Sequence, residues 1–193
     1  MSRTKTLLRS LLAIGGAGAV AAFGTFSAFS STTSNPDNQI KAGTVTLGDN
    51  DAGAAMYDVA AAKPGTVVEK CIKVSYSGSL DADVKLYVAD AIGPLGQYLD
   101  LSVTPGTQTT STFPDCDGFT ADAGGSIYTG TLAGFRSAHS SWANGLAYNP
   151  GTATKWVQDT SRVFRVRLTV QAAQAARGLE TGRHAFTWEA RNQ

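Results

Sequence analysis

RVFRVRLTV, Arg162 to Val170, alternates without a break: Phe164, Val166, Leu168 and Val170 fall on one side, Arg165, Arg167 and Thr169 on the other. In an extended chain successive side chains point to opposite faces, so this is a strand with one face in a core and one in water. The same period two runs through CIKVSYSG, where Ile72, Val74 and Tyr76 oppose Lys73, Ser75 and Ser77, and through DADVKLYVAD, where Val84, Leu86 and Val88 oppose Lys85 and Tyr87. YLDLSVTPG adds Leu99, Leu101 and Val103 and ends in Pro105-Gly106, a turn signal. HAFTWEA supplies a last strand, Ala185 to Glu189, with Phe186 and Trp188 on one face. QIKAGTVTL supplies the first.

One segment has helical spacing. In LAGFRSAHSSWANGL, Leu132, Phe135, Ala138, His139 and Trp142 share a stripe that Gly145 can stop, and QAAQAARG allows a second short helical turn. Pro105 to Gly125 reads as a loop pinned by Cys116. Several short strands with one helix inserted in a long connection predict an all-β fold, a β-sandwich of jelly-roll type.

The N-terminus is of a different kind. MSRTKTLLR carries Arg3, Lys5 and Arg9 without an acid, and Leu11 to Phe26 follow uncharged. That is the layout of an export signal, short for a stable membrane anchor. Cleavage is expected after Ala28, making Phe29 the new first residue, so that residues 1–28 are a signal peptide, 29–193 form a single domain, and membrane contact is through the uncleaved signal alone. Phe26, at the third position before the cut, is larger than ordinary signal processing prefers. Loss of the leader leaves thirteen of the sixteen basic residues against fifteen acids. A nearly neutral chain with no basic cluster has no electrostatic footprint for nucleic acid.

Cys71 and Cys116 both fall in the exported part, where an even count favours one disulfide over two buried thiols. Neither is in a C-x-x-C or beside a histidine. The two histidines, His139 and His184, form no H-E-x-x-H; His139 reads as a packing residue and His184 has no carboxylate at ligand spacing. No strained G-x-S-x-G nucleophile turn and no phosphate loop occurs. No cofactor is expected. GDNDAG, with Asp49 and Asp51, and PDCDG, Pro114 to Gly118, offer oxygen ligands that calcium uses, but Asp, Asn and Gly are also the ordinary residues of solvated turns.

What remains is Phe29 to Asn38, polar and partly β-compatible, which leads through Asn35-Pro36-Asp37 to the first strand. It fits either a tail or a strand donated to the open sheet edge of a neighbour.

GTFSAFSSTTSNPDNQIKAGTVTL, Gly24 to Leu47, resembles the signal and mature start of the TasA and camelysin family, which follows G-T-aromatic-x-A-F with a polar stretch and then A-G-T-aliphatic-x-L. Phe26 matches its aromatic. KPGTVVEKCIKVSYSGSLDADVKL is similar to a second family pattern but lacks its Asn before Gly78, and FTWEARN is similar to the ending of members from high-GC Gram-positive bacteria. The resemblance implies release by a SipW-type signal peptidase and a secreted jelly-roll protein of the cell surface or biofilm matrix. It further implies homopolymer fibres in which the freed N-terminal strand, residues 29–38, inserts into the next subunit, with Phe29, Ser30, Ser31, Thr32, Thr33, Ile40, Val45 and Leu47 as assembly residues. Camelysin is classed as a metallopeptidase, so the resemblance carries that alternative too, although no catalytic zinc shell is legible here. A monomeric adhesin, using Tyr87, Tyr98 or Tyr148 as surface aromatics, is a third reading.

Overall fold

The structure, a computed structural model, describes residues 42–192. The alternating stretch at Arg162 forms the middle of the larger of two antiparallel sheets. This strand, β8 (Ser161–Val170), lies between β2 (Val67–Tyr76) and β4 (Leu99–Gln108); β1 (Leu47–Asp49) extends the sheet beyond β2. Beyond β4 come β5 (Phe119–Ala121) and β6 (Tyr128–Thr131), each pairing with a different part of it. The smaller sheet has the order β7 (Leu146–Ala147), β3 (Asp83–Tyr87), β9 (Thr187–Arg191). The described residues therefore form an all-β fold with one α-helix inserted, α1 (Leu132–Ala138). The chain changes sheets from β2 to β3, back to β4, and again on either side of β7 and β8.

The core lies between the sheets and is built by the faces that the alternation marks. Ile72, Val74 and Tyr76, Leu101 and Val103, and Phe164, Val166 and Leu168 from the larger sheet meet Val84 and Leu86 from the smaller, all nearly inaccessible to water. Each such side chain contributes about 1.5–3 kcal/mol over leaving it exposed. Trp156, fully buried and outside every strand, forms a lone bridge with Ala82 and donates its indole N–H to the Tyr148 carbonyl at 2.7 Å.

Pro105-Gly106 is not a turn: β4 runs through it to Gln108, with Pro105 opposite Phe164 and Gly106 opposite Val163. The reason lies in the direction of the main-chain groups. The Val103 and Pro105 carbonyls accept the N–H groups of Ile127 and Asp122, so odd positions of β4 point away from β8. The N–H that proline lacks therefore falls in the gap where pairing passes from β6 to β5, and the ladder with β8 is unbroken. At Gly106 a Cβ would strike the Thr120 carbonyl and the Phe119 ring, so only glycine lets β5 approach. The expected loop from Pro105 to Gly125 accordingly contains the end of β4 and the whole of β5.

Helix α1 is shorter than the sequence periodicity predicts. Thr131 caps it, its hydroxyl accepting the Gly134 N–H at 3.0 Å, and Leu132 and Phe135 are buried. It ends at His139 because the Asn144 side-chain oxygen takes the N–H groups of Ser140 and Ser141, at 3.0 and 2.9 Å, and turns the chain into a separate 3-10 turn, Trp142–Asn144. Short polar side chains compete with the helical ladder in this way. Gly145 ends that turn instead. The Ala-rich stretch after β8 is a 3-10 turn over Gln174–Ala176. The last strand begins at Thr187, two residues later than Ala185.

Candidate functional site

Two sheet edges open on the same side of the sandwich. β1 pairs only with β2, Leu47 opposite Tyr76, and β9 pairs only with β3, Trp188 opposite Leu86; among the described residues the other side of each has no main-chain partner. Between them lies a cleft of about 220 Å³, walled by Leu47, Gly48, Asp49 and Val74 of the larger sheet and Phe186, Thr187 and Trp188 of the smaller. The Trp188 indole nitrogen is buried and has no hydrogen-bond partner among the described residues. A buried donor without an acceptor costs about 1–3 kcal/mol. Burial also raises the Asp49 carboxyl above its ordinary pKa, against the lowering effect of the Asp51 N–H. Chemically the seam offers, among the described residues, two strand edges without main-chain partners and walls that mix apolar side chains with Asp49 and Thr187. That is the equipment for main-chain hydrogen bonding to an added strand.

The predicted residues fall around this seam unevenly. Ala28, Phe29, Ser30, Ser31, Thr32, Thr33 and Ile40, with the signal and the donor segment they belong to, lie outside the described residues. Val45 and Leu47, expected as anchors in a neighbour, pack against this chain's own core. The first strand is only Leu47–Asp49, although its approach is extended: the Thr44 and Thr46 carbonyls accept the N–H groups of Leu80 and Ser77 at 3.2 and 2.9 Å. Cys71 and Cys116 are joined, tying β2 to the segment before β5.

Asp49 and Asp51 form successive Asx turns, the carboxylates accepting from the Asp51 N–H at 3.1 Å and the Gly53 N–H at 2.6 Å. Asn50 between them bridges the Lys73 N–H and the Ser111 carbonyl. No group of three or more His, Cys, Asp or Glu side chains stands ready to hold a metal ion among the described residues. His139 packs on Phe135 and donates to the Asn144 carbonyl, 2.7 Å away; as that oxygen can only accept, Nδ1 carries the proton.

The surface aromatics are engaged as well. Tyr87 donates to Glu189 at 2.9 Å, and Tyr148 donates to Asp122 while its ring meets Phe164 edge-on at 5.7 Å. Two features had no local signal in the sequence: the pairing of Tyr57 with His184, separated by 127 residues, and the position of Trp188 at the seam.

No protein-family model matches the chain, and no curated protein is significantly similar to it in sequence.

Proposed function

We propose that the chain is a secreted structural protein of the bacterial surface or biofilm matrix, a jelly-roll-type sandwich that assembles into homopolymer fibres. A SipW-type peptidase removes the leader after Ala28, and the freed segment from Phe29 to Asn38 adds as a strand to the next copy. The observation that carries this reading is the seam between β1 and β9, where, among the described residues, two strand edges without main-chain partners flank a cleft. A strand laid there covers an edge that would otherwise invite indiscriminate pairing.

Among the described residues the chain before β1 is held along residues 77–80 at Thr44 and Thr46. A contact made by one end of a subunit with a different surface of the next does not close on itself, so it propagates as a filament.

Electron microscopy of protein beginning at Phe29, beside protein beginning at Gln39, tests the reading. Filaments are expected only from the longer form; filaments from both, or from neither at high concentration, contradict it.

A further inference from the structure

The inward face of the larger sheet is longer than the sheet that covers it. β2, β4 and β8 have ten residues each, whereas β3 and β9 have five and β7 two. At the uncovered end Leu99 and Val170 keep 8% of their surface, against 0–1% for Val103, Val166 and Leu101 in the middle of the core. Two irregular segments, residues 55–66 and 171–186, stand over that end in place of strands. Their side chains are mostly short, Ala55, Ala62, Thr66 and Thr181 among them, and they do not fill the space. A cleft of about 460 Å³ remains, its floor made by Val68, Leu99, Leu168 and Val170. That volume is within the range of small-molecule sites.

The two segments are clasped across the cleft wall. The His184 Nδ1 faces the Gly182 carbonyl at 3.1 Å and must donate to it, so the opposite nitrogen, Nε2, accepts the Tyr57 hydroxyl at 2.6 Å. Burial pushes the Tyr57 hydroxyl well above its ordinary pKa, so it stays protonated. Charge enters the cleft from the residue beside each member of the clasp. Asp58 follows Tyr57 and Arg183 precedes His184; both line the cleft, one on each segment. Among the described residues neither is in an ion pair.

We infer that this cleft binds a small zwitterion with an apolar body: an α-amino acid, or a short peptide, carrying a leucine- or phenylalanine-type side chain. Arg183 takes the carboxylate as a forked donor, Asp58 takes the ammonium, and the side chain lies on Val68, Leu168 and Val170. A ligand with only one charge leaves the other ionic group unanswered, and a polar body leaves the floor uncovered. The site is separate from the seam between β1 and β9, with which it shares no wall residue, so its success or failure is read independently of fibre formation.

Calorimetric titration of the full-length chain with phenylalanine, with the dipeptide phenylalanyl-leucine, and with uncharged N-acetylphenylalanine amide tests the assignment. The His184 ring proton followed by NMR locates the site. Binding of either zwitterion at a dissociation constant between about 10 µM and 1 mM, with a shift at His184, is expected. Binding of the amino acid alone or of the dipeptide alone identifies the source. Asp58→Asn and Arg183→Gln, both at exposed positions, each weaken it about tenfold. Ala62→Leu, which fills the cleft from its rim, abolishes it while leaving the unfolding midpoint in place. Equal binding of the neutral amide, or no binding of either zwitterion up to about 10 mM, overturns the assignment.

Discussion

Phe164 of β8 and Trp188 of β9 meet across the sandwich, their ring centroids 5.4 Å apart and their planes inclined by 46°. One residue is at the centre of the larger sheet and the other on the edge strand of the smaller, so this contact joins the packed core to the seam. Phe164 is 1% exposed and also receives the edge of Tyr148. Its replacement by alanine removes ring burial and leaves a cavity that the two ten-residue neighbouring strands cannot collapse. Phe164→Ala is expected to lose about 3–5 kcal/mol of stability, measured by denaturant unfolding.

The disulfide between Cys71 and Cys116 spans 45 positions of sequence. In the chain-entropy account a loop of that length stabilises the folded state by about 4 kcal/mol. Cys71→Ala combined with Cys116→Ala is expected to lower stability by an amount of that order. The oxidised protein should lose a similar amount under reductant, and the double variant should be indifferent to it.

Tyr148 gives the fold a dependence on alkaline pH. Burial, and then its hydrogen bond to Asp122, raise its hydroxyl from 10.0 to about 12. Because the folded state holds this proton more tightly than the unfolded chain, the stabilisation is fully present below pH 10 and is lost as pH rises through about 12. Tyr148→Phe should therefore flatten the fall of the unfolding midpoint over that interval by about one proton's worth of slope, besides lowering the midpoint at neutral pH.

How much of this could be read in advance differs from element to element. β8, β2 and β3 were legible because one buried and one wet face leave strict alternation, and the faces so marked are the ones in the core. Pro105-Gly106 misled because a dipeptide that usually turns is accommodated here by a gap between β5 and β6, which depends on where residues some twenty positions later return. The helix was overextended because the spacing of apolar side chains continues to Trp142 while Asn144 diverts the backbone. The seam and the cleft were not legible at all. Each is made by segments far apart in the chain: β1 with β9, and residues 55–66 with residues 171–186.

Assembly through the seam makes a direct prediction about distance between chains. One population, beginning at Phe29, carries Thr32→Cys; a second, beginning at Gln39, carries Thr187→Cys on β9, and the two are mixed under mild oxidation. The account predicts a disulfide between residue 32 of one chain and residue 187 of the other, formed at a rate that falls when excess unmodified protein beginning at Phe29 competes for the seam. Cross-linking no faster than between Thr32→Cys and a cysteine placed at Thr129, on β6 at the far side of the larger sheet, would contradict it.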